Sequence, residues 1–336
     1  VTFGYAVYFT ERAKNRVVRW DPDSGDIDVV AGESSGEPDQ RLKRPYGLAF
    51  DSGGSLLIAD KLNHRICRVV HGRLHPLLLN DFKNSRARRP DSPRHYDPIL
   101  LCPTALFRQP DGSILCTFAD DHTIYRILED NRIELVLGIP PNRNSFIGPP
   151  QETVLPAQVA DYPLAVPTGI VCRRDGTILF IERLYQTVRS YVPGGGLSCV
   201  FPYSSLLEHM RRKEAPEESP LGAYHPAFPS ALALDKEDAL YVTEATHGCI
   251  LRVDLERGTL RKVVQARRSP EQPVMGVSAM TFGPDGTAWV MNAAEGAVQG
   301  YAPAPGGLWR LLASLSQVGR DDLVLPPAGS GMVTGR

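Results

Sequence analysis

One stretch constrains this chain more than any other. Residues Arg44 to Val69 read RPYGLAFDSGGSLLIADKLNHRICRV. Tyr46 to Phe50 is a short apolar strand that starts from Pro45, Leu56 to Ala59 is a second, and Arg65 to Val70 is a third. The turn Asp51-Ser52-Gly53-Gly54 joins the first two, because Gly tolerates the positive φ that tight hairpins need. Asp60-Lys61-Leu62-Asn63-His64 makes the next turn. Three antiparallel strands of this kind cannot cover both faces and both edges alone. The stretch therefore demands neighbours like itself.

The chain supplies them. VYFTERAKNRVVRW (Val7 to Trp20), TALFRQPDGSILCTFADDHTIYRIL (Thr104 to Leu128), TGIVCRRDGTILFIERLYQTVRSYV (Thr168 to Val192), SALALDKEDALYVTEATHGCILRV (Ser230 to Val253) and SAMTFGPDGTAWVMNAAEGAVQGY (Ser278 to Tyr301) repeat the pattern. A fourth strand follows each unit, at Ile27-Val30, Leu74-Leu78, Ile133-Leu137, Leu197-Phe201, Leu260-Val264 and Trp309-Ala313. The expected fold is all-β: a six-bladed β-propeller of four-stranded antiparallel blades, a single domain over residues 1–336. The first unit lacks an obvious innermost strand. The tail from Leu323 to Thr334 contains a Pro-Ala-Gly phrase like the lead into an inner strand, so the C-terminus is expected to close blade one. Val1 to Tyr5 is the alternative source of that strand.

Composition agrees. The 336 residues include 30 Gly and 29 Pro, which favours many short strands and turns, and 42% hydrophobic residues provide for a core. Basic and acidic residues nearly cancel, 37 against 38, so nothing in the balance demands a nucleic acid or a membrane. No apolar run reaches the length of a membrane-spanning helix, and no secretory leader is visible at the N-terminus. Cys67, Cys102, Cys116, Cys172, Cys199 and Cys249 lack CxxC spacing and read as reduced core thiols. Together these favour a cytoplasmic monomer.

The pattern PxGLAxDxxGxLxIADxxNHRIxRV in the opening stretch resembles the NHL repeat. The phrases Phe9-Thr10-Glu11, Phe180-Ile181-Glu182 and Val242-Thr243-Glu244 resemble the repeat of the virginiamycin B lyase group. More loosely, they resemble the strictosidine synthase-like and gluconolactonase-like propellers. Gly148 to Ile170 is similar to a connector found in many NHL proteins. The resemblance implies a propeller that hosts a lyase, cyclase, hydrolase or pure scaffold. Amidating lyases of this kind place zinc-binding His at the start of inner strands, where this chain has Tyr, Thr and Ser. That zinc site is not carried over, and the expected cofactor is none or a single divalent metal ion.

Three long connections, 75–102, 138–167 and 202–229, rise on one face around the channel mouth. The first carries Lys83, Arg86, Arg88, Arg89 and Arg94, suited to an anionic group or an acidic partner. The third contains SSLLEHMRRKEA, with capping-box and apolar spacing for a short helix. Two rings of positions then become candidates. Tyr46, Thr104, Thr168, Ser230 and Ser278 begin the inner strands and offer ligand-binding groups. Glu11, Asp60, Phe118, Glu182, Glu244 and Asn292 end the second strands. There a carboxylate either braces the following turn or gathers at the channel as acid, base or metal ligand. Glu11, Glu182, Glu244 and His225 are the candidate catalytic groups. Phe118 and Asn292, which break the repeat, join Tyr185 as ligand-contacting candidates. His64, His122 and His247 share the same face.

The expected function is a small-molecule-binding propeller, with proton-transfer chemistry (elimination, cyclisation or hydrolysis) at the channel mouth. A protein- or peptide-binding scaffold is the alternative, and an RNA-binding propeller is weighed below both.

Overall fold

The second strands of the second to sixth units explain the architecture. Leu56–Asp60, Ile114–Phe118, Ile178–Glu182, Leu240–Glu244 and Ala288–Asn292 are buried at every position. A strand presents alternate residues to opposite faces, so one buried throughout needs cover on both. Ile58 packs toward the preceding unit with Val17 and Ala31, whereas Leu57 and Ala59 pack toward the following one with Leu106 and Cys116. Stacking such sheets face to face around an axis satisfies every blade at once.

A computed structural model describes residues 1–32, 37–79, 102–139, 151–202, 215–266, 276–292, 297–304 and 308–316. Six antiparallel sheets stand in a ring, each with four strands in sequence order from the inner edge outward. Blade two is Pro45–Phe50, Leu56–Asp60, Arg65–Val70 and Arg73–Leu79, and its siblings follow the same plan. Six hydrophobic clusters fill the six interfaces between neighbouring blades. The last joins Trp289, Met291 and Val298 of blade six to Val7, Phe9 and Trp20 of blade one, which closes the ring. Six cysteines remain thiols, five of them buried. No helix among the described residues is long and apolar enough to cross a membrane.

Two blades depart from the expected four strands. Thr153–Val154 adds to the outer edge of blade four, and Glu218–Pro220 to that of blade five. Both come from the long connections, which cover an edge that would otherwise expose its backbone groups. In blade one, Thr2–Phe3 pairs with Ala6–Glu11 on the inner side, and the Thr2 hydroxyl donates to the Phe282 carbonyl of blade six at 3.0 Å. The expected closing tail, the basic segment Lys83 to Arg94 and the expected short helix lie outside the described residues.

One device recurs where blades hand on the chain. The last residue of the turn between second and third strands adopts positive φ: Asn15 (56°), His64 (51°) and His122 (58°). Its side chain accepts the backbone N–H of the residue just before the next inner strand, which also has positive φ: Arg44, Cys102 and Val166. The bonds are Arg44 N to Asn15 Oδ1 at 2.8 Å, Cys102 N to His64 Nδ1 at 3.1 Å and Val166 N to His122 Nδ1 at 3.1 Å. Each clasp sets where the following blade begins.

Candidate functional site

Inner-strand starts and the turns after second strands share one end of the molecule, because the strands between them are antiparallel. At this end the pairing slips by a residue at Pro45/Leu48, Pro167/Ile170, Pro229/Ala231 and Val277/Ala279, and in blade three at Thr117/Phe118. Such bulges re-aim the residue at the start of the inner strand.

The two rings of candidates are built differently from one another. The acids at the ends of second strands bind the chain around them. Asp60 accepts from Lys43 N at 2.7 Å and from the Asn63 amide and Arg65 guanidinium, each at 2.7 Å. Glu182 accepts from Ala165 N at 2.9 Å and lies 3.1 Å from Arg189 Nε. Glu244 accepts from Phe228 N at 2.7 Å and from both His247 N and His247 Nδ1. Glu11 pairs with Lys14 and Arg16. In three blades, then, the carboxylate holds the strand leading into its own blade and pairs with a nearby arginine (Arg65, Arg189) or histidine (His247). Burial outweighs those favourable bonds at two of them: it pushes the Asp60 carboxyl up, and the Glu182 carboxyl up to about 7 against the pull of Arg189.

Where the repeat lacks an acid, the replacement is packed. Phe118 meets the Tyr125 ring edge-on, and the Asn292 amide donates to Gln299 Oε1 at 3.2 Å, which also accepts from the Tyr301 hydroxyl at 2.9 Å. His225 is anchored through Nδ1 to the Pro202 carbonyl at 2.8 Å. Tyr185 sits half-buried in the turn after Glu182.

The inner-strand ring divides. Thr104, Thr168, Ser230 and Ser278 are 1%, 5%, 4% and 0% exposed. Thr104 and Ser230 each meet a threonine hydroxyl on the adjacent second strand, Thr117 and Thr243, both at 2.8 Å. Ser230 also donates across the blade boundary to the Val277 carbonyl at 3.1 Å. The Thr104 and Ser230 hydroxyls thus tie the inner strand to its neighbours. Tyr46 alone of the five is half-exposed, and two cations lie against its ring: the Arg12 guanidinium 4.4 Å and the Lys61 ammonium 4.6 Å from the centroid. Sequence reasoning grouped Tyr46 with the hydroxyls. The signal it passed over is the basic run RLKRPY and the Lys of ADKLNH, which the fold places on the same corner.

His64 and His122 are spent on the clasps, and His247 on Glu244. No group of three or more His, Cys, Asp or Glu among the described residues could hold a metal ion. On the opposite face, a cleft of about 320 Å³ between blades two and three is lined by Asp51, Arg68, Gly112 and Asn131 over Leu57 and Ile114.

No protein-family model matches the chain, and no curated protein matches it. Solved structures do. The nidogen/laminin complex aligns over 94% of this chain and 94% of its own with a TM-score of 0.59 at 11% identity. A streptogramin B lyase aligns over 94% and 81% at a TM-score of 0.56 and 15% identity. A gluconolactonase from Xanthomonas campestris covers 85% and 79% at a TM-score of 0.56 and 14% identity. At such identities the likeness is one of fold: this chain shares the six-bladed propeller of enzymes and of a protein-binding assembly alike.

Proposed function

We propose that this propeller binds a small organic molecule at the end of the ring that carries the long connections, in the corner between blades one and two. The observation behind this reading is the asymmetry of the inner-strand ring. Four of its five described positions are sealed, whereas Tyr46 is open and carries polar, charged company. Ligand sites on rigid scaffolds combine an apolar surface with a few convergent polar groups, and a half-exposed aromatic beside cations offers both.

Chemistry on the bound molecule is the finer reading. Of the candidate acids, Glu182 has a carboxyl raised to about 7, the range in which a carboxyl can both take and give a proton. Its complete burial beside Arg189 sets it apart from any ligand surface. Binding therefore stands ahead of catalysis here. A protein-binding role has one observation in its favour, the exposed Leu308, Leu311 and Leu312 along the outer strand of blade six.

The test is a thermal-shift screen of the purified chain against a panel of neutral and charged small organic molecules, lactones and cyclic esters included. Ligand that binds the folded state raises the melting temperature. At least one compound is expected to do so for the wild type and to lose the effect in Tyr46→Leu. If no compound stabilises the wild type, or if every shift survives in Tyr46→Leu, the reading fails.

A further inference from the structure

The corner around Tyr46 gathers exposed basic side chains. Lys43 and Arg44 come from the lead into blade two and Lys61 from the turn after its second strand, while Arg12 of blade one is buried against the Tyr46 ring. Lys43 and Arg44 are exposed, and Lys61 is half-exposed. Among the described residues none of Lys43, Arg44 and Lys61 has an acidic partner. Their backbone groups explain their position: Lys43 N binds Asp60 and Arg44 N binds Asn15, while the side chains are left to solvent. The neighbouring acids are committed elsewhere. Glu11 pairs with Lys14 and Arg16, Asp60 with Arg65, and Asp120 accepts a hydrogen bond from the Cys102 thiol.

Gathering cations without counter-charge costs free energy through their mutual repulsion, and only an anion removes it. Of these, Lys61 is also held against the aromatic ring at the surface, its ammonium 4.6 Å from the Tyr46 centroid. We propose that the ligand of this corner is a small organic anion, its carboxylate or phosphate taken by Lys61 with Lys43 and Arg44, and its body resting on Tyr46. The proposal rests on the reading of this face as a small-molecule site and names the ligand class. Ammonium and guanidinium groups are the usual partners of carboxylate and phosphate, and the aromatic ring selects for an organic body over a bare ion.

The experiment is calorimetric titration of the whole chain with three probes, benzoate, citrate and inorganic phosphate, at low ionic strength and at ~0.15 M salt. Benzoate and citrate separate an organic carboxylate from phosphate as the preferred group. At least one probe is expected to bind, about tenfold or more weaker in Lys61→Met. Tyr46→Leu should weaken benzoate more than phosphate. Glu129→Gln, at the cleft on the opposite face, serves as a control and should bind as the wild type does. Circular dichroism confirms that each variant is folded. Absence of binding by all three probes overturns the proposal, as does binding that Lys61→Met leaves unchanged. A single-stranded RNA 12-mer that binds while the small anions do not would also overturn it, assigning the corner to nucleic acid. If neutral compounds stabilise the wild type through Tyr46 while no anion binds, the ligand class is wrong and the small-molecule site remains.

Discussion

The three clasps show how a single turn position carries a consequence beyond its own turn. Asn15, His64 and His122 occupy the same left-handed corner, where Asn is among the few side chains at ease. Each must accept a hydrogen bond, so His64 and His122 keep Nδ1 unprotonated and carry their proton on Nε2. Burial lowers the pKa of both. At His64, Asp60 and Asp120 oppose that effect and Lys43 adds to it, and at His122 Asp120 opposes it. The unfolded chain thus takes up protons at these two sites before the folded one does. Their contribution to stability is fully present above the ordinary histidine range and is lost as pH falls through it toward the lowered folded values. The raised Glu182 carboxyl acts in the opposite direction over this range but is common to wild type and variant. In urea melts between pH 8 and pH 5 the clasps are therefore read as a decline of the wild-type midpoint relative to a variant whose clasps do not titrate. The double variant His64→Asn/His122→Asn keeps the acceptor in the form blade one already uses, and its midpoint should decline less over that span. An equal decline would mean that the clasps do not titrate.

Among elements, the inner strands of blades two and three approach each other too closely for a side chain at Gly47. A Cβ on Gly47 would stand 2.6 Å from the Thr104 carbonyl oxygen and 2.9 Å from Ala105 Cα. Both are backbone atoms and neither can turn aside. Gly47→Ala should therefore destabilise by about 1–3 kcal/mol in denaturant titration, through overpacking that shifts a strand. A change under about 0.5 kcal/mol would show that the blades part freely there. The same elements show what a sequence discloses. Strand, turn and strand recur with period and composition that are local properties, so the blades could be read from residues such as Leu56 to Val70. The added strands Thr153–Val154 and Glu218–Pro220 could not, since two or three residues carry no period and pair only because a distant edge is open. The acids were legible as a repeated position. Their partners were not, because Lys43 N, Ala165 N and Phe228 N reach them across a chain reversal of 16 or 17 residues.

For the whole molecule the decisive contact is the seam between blades six and one, where the two ends of the repeat array meet. The Trp20 and Trp289 rings pack edge to face at 5.4 Å within the cluster that fills this seam. Trp289→Ala leaves a large void at the place where the ring closes, and a loss of about 3–5 kcal/mol is expected from the shift in denaturation midpoint. A loss near 1 kcal/mol would indicate that closure depends on other contacts. The clasps have a further consequence at this scale. Each is made between a turn of one blade and the residue just before the next, so it fixes where the intervening connection must end. A foreign loop grafted between Leu79 and Cys102 would therefore still be delivered to the same start of blade three, whereas the connection after blade three cannot be exchanged as freely, because Thr153–Val154 is part of the sheet of blade four. This propeller is in that sense a pedestal with one replaceable head.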